Sequence, residues 1–329
     1  VADALPPIAN RPDTVDRVAV LGQQIRVKVR AGVGVPLVLC NGIGASLEAL
    51  DSLVAHLDPN TTVVRFDVPG TGGSADSPVP YGFPYLAAML GRLLKRLGLR
   101  GPVDVLGFSW GGALAQQFAF QNPVRCRRLI LVATGTGAIM VPGKPSVLAK
   151  MLSRRRFLDH DHGAAIAGTL YGGAARADPT DVKRLFDLQP MAGARTGYLY
   201  QLLAGSVWTS VFALPLIRQD TLIVAGIDDP IIPTANARIM AGLLPHATVH
   251  VHPGGHMELI TNSAELAPLI EAFRAATDPL IDDHIARPHP SERPVVRRHN
   301  RNARYRGRRP MTSSNDALTL CAIPNEGRR

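Results

Sequence analysis

Cysteine is scarce in this 329-residue chain, and Cys40, Cys126 and Cys321 are odd in number and far apart. They provide neither a disulfide framework nor zinc-ligand spacing, and Cys40, at the end of an apolar run, is expected to serve as a small buried hydrophobe. No apolar run reaches the length of a membrane-spanning helix. The opening stretch, residues 1–17, lacks the basic-then-apolar order of a secretion signal, so a cytoplasmic location is expected. Phosphate-binding signatures are also missing. The glycine-rich turn Asp67-Val68-Pro69-Gly70-Thr71-Gly72-Gly73-Ser74 is not followed by Lys-Ser or Lys-Thr, and no GxGxxG opens a helix. His246, His250, His252 and His256 lie close in sequence but have no carboxylate or cysteine at ligand spacing, so no metal site is expected.

The net charge of +10 looks at first like a nucleic-acid signal, but it is concentrated at one end. Residues 287–329 hold eleven arginines against Glu292, Asp316 and Glu326, so eight of the ten net positive charges fall there. With five prolines and few large apolar residues, this tail is expected to be disordered. Its composition fits contact with an anionic surface or a polyanion, and fits equally a solvated extension with no partner. The body is close to neutral, so nucleic acid is not an expected partner.

What remains, 46% hydrophobic, is enough for a large core. Residues 15–20 and 25–30 alternate about a turn and read as a hairpin. Strands follow at 36–40, 62–66, 103–107, 128–132, 221–225 and 248–251, separated by helical spacings at 46–57, 83–97, 113–119, 236–244 and 264–276. This alternation predicts an α/β fold with a mostly parallel central sheet and helices on both faces. The rhythm breaks between Ala133 and Arg218. The stretch 135–218 is therefore read as an inserted helical cap, and residues 1–134 and 219–286 as the core. Within the cap, His160-Asp161-His162 reads as a solvated turn.

The candidate chemistry centres on Gly107-Phe108-Ser109-Trp110-Gly111, a G-x-S-x-G pattern between strand and helix. A serine on such a sharp turn is held out at the top of the sheet within reach of a base. A neutral hydroxyl is a poor nucleophile, so a base and a group to orient it are needed. Both follow in order. Gly226-Ile227-Asp228-Asp229 leaves one strand and Gly254-Gly255-His256 leaves the next. The order Ser, Asp, His is that of the α/β-hydrolase arrangement. The spacing from Gly226 favours Asp229 as the acid, with Asp228 as the alternative. Oxyanion donors are expected in the backbone N–H of Trp110 and, from the Asn41–Gly44 loop, of Ile43. This chemistry is acyl transfer through Ser109 and requires no cofactor. Cap residues Met140, Trp208 and Phe212 are candidates for substrate contact.

The chain resembles the intracellular poly(3-hydroxyalkanoate) depolymerases that act on medium-chain-length polyester, members of the α/β-hydrolase superfamily. The resemblance rests on Asn41–Ala45, Phe66–Ser74, Ser109–Ala119, Met140–Pro145, Tyr171–Gly173 and Trp208–Ser210, and spans roughly residues 15–276. It implies Ser109 as nucleophile, Asp229 as orienting acid, His256 as base, and a polyester granule as the partner. The arginine-rich tail is outside the pattern. Two other functions remain compatible with the residues: an esterase or carbon–carbon bond hydrolase acting on small substrates with the same triad, and a binding protein on a vestigial hydrolase fold.

Overall fold

A computed structural model describes residues 15–152, 155, 159–178, 180, 182–183, 187 and 195–276. All of these lie in one compact unit, residues 1–276. The tail 287–329 lies outside the described residues, as does part of the stretch read as a cap.

The first strands form the expected hairpin. β1 (Val15–Val20) pairs antiparallel with β2 (Gln23–Arg30) around a two-residue turn, Leu21-Gly22, with both residues at positive φ. Such a mirror-image turn matches strand twist, so pairing resumes at Gln23, two residues before the sequence pattern places it. The chain continues as β3 (Val33–Cys40), α1 (Asp51–His56), β4 (Thr61–Phe66), α2 (Phe83–Arg96), β5 (Val103–Phe108), α3 (Trp110–Gln121) and β6 (Cys126–Val132). Helices α4 (Pro145–Leu152), α5 (His160–Tyr171), α6 (Ala174–Ala177) and α7 (Arg195–Val207) then intervene before β7 (Asp220–Gly226). α8 (Ala235–Leu243), β8 (Ala247–His252), α9 (Glu258–Thr261) and α10 (Ser263–Ala275) complete it.

The eight strands lie in the order β1-β2-β4-β3-β5-β6-β7-β8, parallel from β4 to β8 and antiparallel at the β1–β2 and β2–β4 pairs. Inner strands carry apolar side chains at successive positions because both faces are covered. Val38, Val105, Leu129, Leu131 and Ile223 pack with Phe83, Leu86, Leu90 and Phe118 of α2 and α3. Leu37, Leu39, Leu106, Ile130 and Leu222 pack on the other face with Leu53 of α1 and Leu266 and Ile270 of α10. This second core also takes in Leu170 and Tyr171, so the segment between β6 and β7 is anchored in the body.

Register sets where the loops emerge. Cys40 lies opposite Gly107, Phe108 opposite Val132, and Gly226 opposite His252. The loops after β3, β5, β7 and β8 therefore leave one edge of the sheet, bringing together segments far apart in sequence.

Two local expectations are corrected. Residues 46–57 are not one helix, because Leu47–Leu50 forms a tighter 3-10 turn that buries Leu47, Ala49 and Leu50 before α1 begins. His160-Asp161-His162 is the first turn of α5 rather than a free turn, since the Asp159 carboxylate accepts from the His162 N–H at 2.9 Å and caps the helix.

The turn into α3 is packed to its limit. A methyl group on Gly111 would overlap the Cys40 carbonyl, and one on Gly112 would overlap the Thr134 side chain. Because the first obstacle is backbone, Gly111→Ala is expected to lower stability by about 3 kcal/mol or more. Urea denaturation measures this, and a loss under 1 kcal/mol would mean the turn has slack.

Candidate active site

Ser109 sits between β5 and α3 at φ 53°, ψ −120°, in the left-handed half of backbone space that side chains rarely adopt. Two backbone bonds hold it there: its N–H donates to the Val132 carbonyl and its carbonyl accepts from Gly112 N–H, both at 2.9 Å. Trp110 opens α3, where first-turn N–H groups have no acceptor within the helix.

His256 arrives on the loop after β8. Its backbone N–H donates to the Tyr171 carbonyl at 2.7 Å, tying the loop to the end of α5. Its ring lies 5.5 Å from Phe108 and stacks against Tyr171 at 6.4 Å. Nε2 is 2.9 Å from Ser109 Oγ, and Nδ1 is 2.7 Å from Asp229 Oδ2. The imidazole is 3% exposed and the Asp229 carboxylate fully buried, so bulk water is kept away from the bond between them. The other oxygen, Oδ1, accepts from the N–H groups of Ile231 and Ile232 at 2.8 and 2.9 Å. The carboxylate thus has one direction left in which to face the ring.

Asp228 points elsewhere. It accepts from Gly173 N–H at 2.7 Å and from the Arg176 guanidinium at 2.9 Å, and these hold its carboxyl below the usual range. Its place is at the junction of α6 with the β7 loop, away from the imidazole. Of the two neighbouring acids, Asp229 is the one joined to His256.

The loop after β3 abuts the nucleophile: a Cβ built on Gly42 would stand 3.7 Å from Ser109 Cβ. Asn41 shapes it, accepting from Gly42 N–H at 3.0 Å and donating to the Ser46 carbonyl. Ile43 follows, then Gly44 at φ 71°. Behind this loop, buried Asp67 accepts from Leu47 N–H at 2.7 Å, Gly73 N–H at 2.8 Å and Arg26 at 3.1 Å. Burial pushes the Asp67 carboxyl up, and these donors oppose the shift. The Asp-Val-Pro-Gly turn is therefore a brace between the hairpin and the loop beside Ser109.

The cap candidates are dispersed. Trp208 packs on Phe83 at 4.9 Å and donates from Nε1 to Gln117 at 2.7 Å, while Met140 lies beside Gly135 and Phe212 is 79% exposed. Residues 1–17, which bear on localisation, are mostly outside the described residues; among those described, no helix is long and apolar enough to cross a membrane. Cys40 and Cys126 are buried, and burial pushes both thiols far up. Tyr171, which the resemblance included without a role, meets His256 through its carbonyl and ring, and Gln201, which had no sequence signal, accepts from Gly44 N–H at 2.7 Å through its side chain.

Comparison with known proteins agrees with this architecture. The family described as alpha/beta hydrolase fold matches residues 35–263. A poly(3-hydroxyalkanoate) depolymerase of Ectopseudomonas oleovorans is 47% identical over 253 residues, covering 76% of this chain and 89% of that protein. A 2-hydroxy-6-oxo-2,4-heptadienoate hydrolase of Pseudomonas putida is 27% identical, covering 75% of this chain and 91% of its own length. Among solved structures, the enol-lactonase of Burkholderia xenovorans LB400 superposes with a TM-score of 0.69 at 20% identity, over 79% of this chain and all of that one. With its mostly parallel sheet and the strand-turn-helix at Ser109, this chain belongs to the α/β-hydrolase family.

Proposed function

We propose that this protein is a serine hydrolase that cleaves ester bonds of medium-chain-length poly(3-hydroxyalkanoate), and the hydrogen-bonded relay Ser109–His256–Asp229 is the observation that carries the reading. His256 Nε2 takes the Ser109 proton as Oγ attacks the ester carbonyl. The backbone N–H groups of Ile43 and Trp110 receive the oxyanion. Collapse expels the hydroxyl end of the polymer, protonated by His256, and leaves an acyl-serine. Water activated by the same imidazole then releases a 3-hydroxy acid or short oligomer. Asp229 holds Nδ1–H in place and stabilises the imidazolium. No step calls for a metal or cofactor.

The polyester substrate is supported by the 47% identity to the depolymerase and by the surface of the cap. From Thr196 to Ile217 the chain has no Asp, Glu, Lys or Arg. Leu199, Leu203 and Val207, four residues apart along α7, are exposed, as are Phe212 and Leu216. Large exposed apolar side chains on a stretch of sequence without charged residues suit a water-poor polymer surface. Such a granule is the proposed partner, and association with it the proposed location.

Specificity is expected to follow pendant length. Each buried methylene contributes roughly 0.8 kcal/mol, so four extra methylenes are worth up to about 3 kcal/mol, on the order of a hundredfold in kcat/KM. The test is incubation with amorphous granules of medium-chain and of short-chain polymer, following released 3-hydroxy acids. Release from the medium-chain polymer alone is expected. Release from neither, beside brisk hydrolysis of a soluble ester, would leave a small-substrate esterase in its place.

A further inference from the structure

Gln201, on the inner face of α7, is nearly fully buried and touches both sides of the nucleophile. Its Oε1 accepts from Gly44 N–H at 2.7 Å, fixing the residue next to Ile43. Its backbone carbonyl accepts from the Trp110 indole Nε1 at 2.9 Å, fixing the residue after Ser109. These two loops come from β3 and β5, and one cap residue bonds to each. Its Nε2 is also buried, with the Tyr81 phenol beside it but without an acceptor in full hydrogen-bond geometry among the described residues. A buried residue whose firm bonds run to two separate loops is placed to hold those loops relative to each other.

We propose that Gln201 is a positioning residue that sets the spacing of the oxyanion hole by clamping the Gly44 and Trp110 sides to the cap. The proposal rests on the serine-hydrolase reading above. Gly44 at φ 71° has a conformation that glycine leaves easily, so the direction of the neighbouring Ile43 N–H depends on what Gly44 is bonded to. With Oε1 in place, Gly44 N–H is occupied and Ile43 N–H is left for the substrate oxygen. Without it, the two N–H groups compete, and the donor geometry that must be ready before charge develops is lost.

The test compares wild type with Gln201→Met, of similar length but without the acceptor, and with Gln201→Asn, too short to reach Gly44, on a soluble medium-chain ester and its thionoester. Sulfur accepts hydrogen bonds poorly, so the oxygen-to-sulfur rate ratio reports on the oxyanion hole itself. For both variants kcat is expected to fall about 10- to 100-fold with KM within threefold, and the oxygen-to-sulfur ratio to fall by a similar factor. The melting temperature of Gln201→Met should change little, because methionine fills a similar buried volume. A folded variant with kcat within twofold of wild type, or a kcat loss with the ratio unmoved, would overturn the proposal. Absence of turnover and of phosphonate labelling at Ser109 in the wild type would instead remove the serine-hydrolase reading, and the role of Gln201 with it.

Discussion

Ser109→Ala and His256→Ala are each expected to lower kcat on a soluble ester by about 10⁵- to 10⁶-fold, with residual hydrolysis roughly 10³-fold above water from the oxyanion donors and binding alone. The two residues act as one unit, since Nε2, at 2.9 Å, is placed to receive the proton that leaves Oγ. The double variant should therefore be no slower than either single one. Stability should barely change. The strained turn at Ser109 is held by the bonds to Val132 and Gly112 and by the close packing of Gly111 and Gly112, none of which involves the hydroxyl. Single-turnover kinetics alongside thermal melts separate these outcomes. Additive losses, or wild-type-like turnover in either variant, would mean that the hydroxyl and the imidazole do not work as a pair.

The parts of this site legible in the sequence are those with local signatures. The alternating strand into Gly107, the small residues around Ser109 and the helix beyond announce the turn because all its constraints lie within about ten residues. The loops carrying Asp229 and His256 follow apolar strands directly, and parallel register delivers them to one edge of the sheet. Gln201 is different. It meets Gly44 across 157 positions from a segment where the strand-helix rhythm breaks, and a single glutamine there has no spacing to distinguish it. Tyr171 contributes its carbonyl and the face of its ring, so although the resemblance included Tyr171–Gly173, residue type alone indicated packing and gave it no role beside His256. The helix start at His160 was hidden because the capping residue, Asp159, precedes the histidine pair that draws attention. Where a contact depends on a distant backbone group, composition and periodicity carry no trace of it.

Asp229→Asn is expected to lower kcat by about 10⁴-fold and Asp228→Asn by less than fivefold. The first effect follows from the donors around the carboxylate. Ile231 and Ile232 both present N–H groups to Oδ1, so an asparagine must place its carbonyl oxygen there. Its NH2 group then occupies the Oδ2 position, 2.7 Å from His256 Nδ1. Two donors cannot face each other, so the ring turns its Nδ1 lone pair to the amide and carries its proton on Nε2. That nitrogen can no longer take a proton from Ser109, although every heavy atom remains in place. Asp228→Asn meets no such conflict. Its carboxylate is half exposed, its partners are Gly173 N–H and the solvated Arg176, and an amide oxygen can still accept from either. Steady-state kcat for the two variants, with unchanged far-UV circular dichroism as the control, decides between the neighbours. A crippled Asp228→Asn beside a nearly normal Asp229→Asn would move the acid by one residue and break the hydrogen-bonded relay on which the serine-hydrolase reading depends.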